Sequence, residues 1–307
     1  MMSLLIVGTV AFDELITPFG ESGKILGGSG TYAGLSASNF MDDINIVSVV
    51  GEDFPEEHLA NFRKKGISTE GINVVKGGKT FFWKGKYHND MNTRDTLDTQ
   101  LNVLADFDPV IPESFRKSDF LMLGNLTPAV QMNVLDQMEE RPKLVILDTM
   151  NFWMDIAMDE LKAVLKKIDV LTINDEEARQ LSGEYSLVRA AQKIFEMGPK
   201  YLIIKKGEHG ALLFGEGEVF FAPALPLEEV FDPTGAGDTF AGGFIGHLAH
   251  TRDISFDNMK RAVIFGSALA SFCVEKFGTE RIAAITPEEM NERVSQFIEL
   301  TQFEIEL

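Results

Sequence analysis

The chain has 307 residues, 45% of them hydrophobic, enough for one large core; 47 acidic residues against 28 basic ones leave a formal charge of −19. Such a surface repels phosphate backbones and argues against nucleic acid as a partner, while local backbone dipoles can still hold a small anion. A single cysteine, Cys273, rules out an internal disulfide. With no basic leader and no apolar run near the ~20 residues of a membrane span, a cytoplasmic protein that avoids membranes is expected.

In chain order, LLIVGTV (4–10), INIVSVV (44–50), FLMLG (120–124), KLVILD (143–148), DVLTIN (169–174) and YLIIKKG (201–207) are short apolar runs. Continuous apolarity is what a parallel strand covered on both faces requires. Between them the pattern predicts helices at 29–40, 55–65, 128–139, 155–167, 175–182 and 186–197. Repeated βαβ units make an α/β fold, a doubly wound, mostly parallel sheet flanked by helices. GALLF (210–214) and EVFFA (218–222) follow, then helices at 236–250, 256–275 and 287–300. Thr286-Pro287-Glu288-Glu289 opens the last as a capping box.

Two segments break the rhythm with strand-like residues around glycine turns and no helical crossover. They predict a small antiparallel β lid, inserted from roughly 14–26 and 72–100 into a single domain over 1–307. In the lid, FFWKG (81–85) sends Phe81 and Trp83 to one face and Phe82 to the other.

Several motifs are weak. GGKT (77–80) has Asn73 where a P-loop needs its first glycine. GGSGTYAG (27–34) lacks the strong preceding strand of a dinucleotide fingerprint and reads as a turn where backbone meets a ligand. His247 and His250 share a helix face without a third ligand, and read as helix-surface histidines. Asn125 and Asn151 follow successive strands, where ligands gather in open sheets.

DPTGAGDTFAGG (232–243) is different. Successive N–H groups of Gly235, Ala236 and Gly237 at a helix start make a pocket for negative charge. Asp238 beside them repels an anion, so it is not there to bind one. It is placed to take a proton from an attacking hydroxyl while the donors stabilise a transferring phosphoryl group.

This stretch closely resembles the C-terminal signature of the ribokinase-like (PfkB) carbohydrate and nucleoside kinases, and other resemblances fall in that family's order along nearly the whole chain. GTVAFDE (8–14) resembles its first strand, which implies that Asp13 contacts substrate hydroxyls; GGSGTYAG resembles its N-terminal Gly-Gly signature, which places Gly28, Ser29 and Tyr32 at the substrate. NDEEA (174–178) resembles its N-x-x-E element, which implies that Asn174 and Glu177 organise Mg²⁺ through water, although Asn174 can equally cap a helix. KKGEHGALLF (205–214) resembles the strand-turn-strand beside the nucleotide. The resemblance thus assigns ATP to Lys206, Gly207, Thr234 and Ser267, and a monovalent cation such as K⁺ to Asp232 and the Thr234 backbone, with Pro233 in place of a frequent threonine.

The implied activity is ATP- and Mg²⁺-dependent phosphorylation of a hydroxyl on a sugar, sugar acid or polyol such as inositol. A nucleoside kinase and a catalytically silent binding protein are the alternatives, and homodimerisation through the lid is expected from the family. Tyr32 stands where many relatives have asparagine, and Ser29 where ribokinase has lysine. Those departures argue against plain ribokinase, and Tyr32 is expected to offer an aromatic floor to a ring or an apolar polyol face.

Overall fold

The structure, a computed structural model, describes residues 2–302. Thirteen strands and ten α-helices alternate along them. They are β1 (Leu4–Val7), β2 (Ala11–Thr17), β3 (Gly20–Gly27), α1 (Ser29–Ala37), β4 (Ile44–Gly51), α2 (Glu56–Lys64), β5 (Ile67–Val75), β6 (Phe82–Tyr87) and β7 (Arg94–Gln100). There follow β8 (Phe120–Leu123), α3 (Pro128–Gln137), β9 (Leu144–Asp148), α4 (Asn151–Ile156), α5 (Met158–Leu165), β10 (Val170–Asn174), α6 (Asp175–Ser182) and α7 (Leu187–Phe195). The last are β11 (Tyr201–Lys205), β12 (Ala211–Gly215), β13 (Glu218–Ala222), α8 (Ala236–Thr251), α9 (Phe256–Cys273) and α10 (Pro287–Thr301).

Nine strands form one sheet in the order β13-β12-β11-β10-β9-β8-β1-β4-β5, parallel except for the two pairings made by β12. Its strands are apolar throughout because both faces are covered. Leu4 and Ile6 of β1 pack with Phe240 and Phe244 of α8, while Leu5 and Val7 pack on the other face with Val134 of α3 and Leu161 and Val164 of α5. Burying each such side chain contributes about 1.5–3 kcal/mol before entropy is counted. Among the described residues no helix is long and apolar enough to cross a membrane.

The second sheet, order β3-β2-β6-β7, is formed by the segments expected to make a lid: two antiparallel hairpins joined by one parallel pairing, β2 with β6. Its boundaries differ from the expected ones. The first apolar run splits, β1 ending at Val7 and the lid strand β2 starting at Ala11. Residues 72–75 belong to β5, the far edge of the main sheet, so the second lid segment begins at Phe82. The helix expected at 155–167 is broken at Ala157, whose φ of −143° lies outside the helical range.

The capping box that opens α10 is present: Glu289 N–H donates to Thr286 Oγ1 and Thr286 N–H to Glu289 Oε2. His247, expected on the surface, is 8% exposed because α8 is packed between α1 and α9. Its Nε2 lies 3.2 Å from Asn258 Oδ1 and its ring stacks on Phe265. His250 is exposed.

Candidate active site

Five strand ends converge on one edge of the main sheet: Val7, Leu123, Asp148, Asn174 and Lys205 close β1, β8, β9, β10 and β11. In an open α/β sheet this carboxyl edge is where ligands collect. Helix α8 aims its N-terminus at the same edge. Gly235, its N-cap, has φ +73°, a left-handed conformation that glycine adopts without strain. A Cβ here would also lie 2.4 Å from the ring of Tyr32.

That turn leaves N–H groups free. Gly235 and Gly237 N–H have no protein acceptor among the described residues, while Ala236 N–H turns back to the Pro233 carbonyl at 3.2 Å and Asp238 N–H faces its own carboxyl. Of the expected trio 235–237, Gly235 and Gly237 therefore keep free donors and Ala236 does not. Aligned N–H groups at a helix start favour an anion.

Beside them the Asp238 carboxyl is pushed up to about 7 by burial and by the Asp148 charge, with Lys205 acting in the opposite direction. Glu177 is likewise raised to about 7, by burial first and Asp148 next, against the pull of Lys205. Lys205 Nζ lies 3.4 Å from Asp148 Oδ2. Sequence reasoning assigned the neighbouring Lys206 and missed Lys205 and Asp148. Strand alternation decides between the lysines: Lys205 lines the cavity, whereas Lys206 is the first residue of the turn and hydrogen-bonds Gly210. The usable signal was two adjacent lysines at the end of an apolar strand.

The cavity has a volume of about 550 Å³. Gly207, Gly237 and Lys205 lie at one part of its lining, and Leu225, Val230, Phe240, Ser267 and Val274 supply mostly apolar walls elsewhere. Its size and its pairing of apolar walls with N–H donors and an ammonium fit a phosphorylated ring compound. For a divalent cation, the fit is indirect. Asn174 Oδ1 accepts Glu177 N–H and Glu177 Oε2 accepts Asn174 N–H, each at 2.8 Å, in a capping box. Only the second oxygen of Glu177 is left to order a hydrated ion. Among the described residues no three acidic, histidine or cysteine side chains converge on a metal position.

Across the turn lies a second carboxyl. Asp13 is 5% exposed and raised to about 7, chiefly by burial, then by Asp232 and Asp238, with the Gly28 N–H opposing. Gly27 must be glycine here, since a Cβ would meet Asp13 Oδ2 at 1.9 Å. A buried carboxyl raised in the fold lowers stability above its folded pKa and has no such effect below its unfolded one. Asp13→Asn is therefore expected to raise the melting temperature at pH 8. The gain should shrink as pH falls through about 7 towards 3.8. Thermal melts across that range check the sign; an unchanged melting temperature at pH 8 would show that Asp13 is not held at a loss.

The other expected substrate residues fare unevenly. Gly28 has φ +96° and a Cβ there would strike the Thr9 carbonyl at 2.4 Å, so it seats α1 on β1's exit. Ser29 is tied to Thr9: its Oγ accepts Thr9 N–H and its N–H donates to Thr9 Oγ1. Tyr32 is 1% exposed, packed into the core beneath Gly235, so it is no floor for a ligand. Asn125 Oδ1 accepts the Trp153 indole N–H at 2.8 Å. Asn151 Nδ2 donates to Gln180 Oε1 on α6.

Asp232 is 1% exposed, and its two oxygens accept Thr234 and Gly278 N–H at 2.8 Å each. Thr234 Oγ1 donates to the Tyr87 hydroxyl at 3.0 Å, tying the lid strand β6 to the turn before Gly235. No sequence motif pointed to Tyr87.

The chain is also similar to known proteins. The family model described as pfkB family carbohydrate kinase matches residues 9–285. The cytidine kinase of Thermococcus kodakarensis is 27% identical over 260 residues, spanning 83% of this chain and 91% of that protein. The ribokinase of Haemophilus influenzae is 27% identical over 303 residues, 91% of this chain and 94% of that protein. Arabidopsis thaliana ribokinase, solved with ribose and ATP, superposes with a TM-score of 0.73 at 20% identity, covering 96% of this chain and 99% of that one.

Proposed function

The chain belongs to the pfkB family of carbohydrate kinases, phosphotransferases that act on a hydroxyl group, and from that premise we propose that it uses Mg·ATP to phosphorylate a small polyhydroxylated acceptor, a sugar, sugar acid or polyol. The observation that carries this reading is the Asp238 carboxyl, pushed up to about 7, beside the free N–H groups of Gly235 and Gly237, with Gly237 lining the 550 Å³ cavity. A base and an anion hole in contact are what phosphoryl transfer to a hydroxyl needs, since the chemistry is mostly positioning and charge stabilisation.

In this reading Asp238 accepts the proton of the attacking hydroxyl and the Gly235 and Gly237 N–H groups hold the charge that develops on the transferring group. Asp13, facing Asp238 across the turn, binds further acceptor hydroxyls. Glu177 holds waters of the magnesium ion, which supplies neutralisation of the triphosphate when bound. Ser267 and Gly207 face the nucleotide from the cavity wall.

The proposal extends to a monovalent cation such as K⁺ between Asp232 and the Thr234 carbonyl. Among the described residues that carbonyl is met only by the weak Cys273 thiol donor, at 3.6 Å. Equal activity in potassium and in tetramethylammonium salts removes the cation. Self-association through the lid is supported by β7, an edge strand with all seven residues exposed; sedimentation as a monomer at assay concentration removes that arrangement.

A nucleoside acceptor is the second reading. Trp153, fixed through Asn125, offers a stacking face beside the strand ends, and the cytidine kinase relative supports the same class. An ADP-release screen over sugars, sugar acids, inositols and nucleosides tests both. Turnover is expected with one class of hydroxyl compound, and none with any class, despite ATP binding, would overturn the reading.

A further inference from the structure

We propose that Lys205 is a further catalytic residue, whose ammonium group grips non-bridging oxygens of the γ-phosphoryl group during transfer. The inference rests on the kinase reading above and deepens it. Lys205 ends β11 directly opposite Asn174 of β10, and so stands between the Glu177 helix start and the Gly235–Gly237 turn. Its Nζ lies 3.0 Å from where a Cβ on Gly237 would be. Of the side chains that line the cavity, Lys205 is the one with a fixed positive charge.

The ammonium group is poorly occupied by the protein. It carries three donors, and among the described residues its one acceptor is Asp148 Oδ2, at 3.4 Å. A strong charge-assisted bond is nearer 2.7–2.9 Å. The side chain is 17% exposed. Burial alone would discharge it, but Asp148, Glu177 and Asp238 outweigh burial and hold its pKa above the ordinary lysine value. A charged donor with spare hydrogens, aimed past a helix N-terminus into an open cavity, is placed for an anion that the empty protein does not contain.

The step balances without a further reactant. The acceptor oxygen bonds to phosphorus as the β,γ-bridging P–O bond breaks, the acceptor proton passes to Asp238, and ADP leaves. Lys205 keeps its protons throughout. Its donors meet an oxygen set that ADP lacks, so its effect is confined to the triphosphate and the transition state.

The rival role is structural, with Lys205 present only to neutralise Asp148. Calorimetric titration with β,γ-imido-ATP and with ADP, each with Mg²⁺, separates the two. Lys205→Met is expected to weaken the imido triphosphate about tenfold or more relative to ADP, the loss of one charged hydrogen bond, and to lower turnover by roughly 10²–10³-fold. Lys205→Met/Asp148→Asn removes both buried charges, so it folds even where the single variant leaves Asp148 unpaired, and it should show the same lost preference. An unchanged triphosphate-to-diphosphate ratio in either folded variant overturns the assignment, as does turnover of the double variant restored to that of Asp148→Asn alone. If the unaltered protein binds neither nucleotide, the kinase reading fails instead.

Discussion

Asp238→Asn lowers turnover by roughly 10²–10⁴-fold while the nucleotide still binds, the range expected when a general base is removed and its surroundings remain. The substitution keeps shape and removes one charge from a site where burial and Asp148 already disfavour that charge. The variant should therefore fold at least as well as the unaltered chain. The pH dependence follows with a definite sign. The base works only when ionised, and its carboxyl is pushed up to about 7, so kcat/KM falls as pH is lowered through that value and levels off above it. Steady-state kinetics on the acceptor found by screening, with calorimetry for nucleotide, checks both halves. Full turnover in the asparagine variant would remove Asp238 from the proton path.

Gly235→Ala is expected to damage fold and activity together. At φ +73° an L-residue is strained by roughly 1–2 kcal/mol. The new methyl would also lie 2.4 Å from three atoms of the Tyr32 ring, and that ring is 1% exposed with nowhere to retreat. Overpacking of this kind costs about 1–3 kcal/mol. Relief by shifting the turn misplaces the Gly235 and Gly237 donors, and losing one such donor lowers turnover by about 10²–10³-fold. Urea unfolding and turnover measured on the same sample test the pair. Gly235→Ala/Tyr32→Leu should recover the packing part of the stability and not the backbone part. A single variant as stable as the parent would show that Tyr32 does not brace the turn.

How much of this was readable beforehand differs by physical cause. Local rules carried well. The apolar runs of β1, β8, β9, β10 and β11, the hairpin of β2 and β3, and the capping box at Thr286 depend on neighbours in sequence. The glycine turn before Asp238 was legible for the same reason. Long-range contacts were not. Tyr32 and Gly235 touch across 203 positions of chain, so nothing near Tyr32 announced that its ring would be buried. Burial of His247 likewise depends on Asn258 and Phe265 on the next helix. Strand β5 was misassigned because its edge position leaves much of ISTEGINVV uncovered and polar. In NDEEA the capping reading is met: Asn174 caps α6, and in doing so fixes the carboxyl of Glu177.

The bond between Thr234 and Tyr87 has a consequence for economy. Because it joins β6 to the turn before Gly235, the position of the hairpin and the shape of that turn are coupled. In the proposed kinase reading, an outward swing of the hairpin would slacken the turn at the same moment, so that water reaching an uncovered centre would be a poor phosphoryl acceptor.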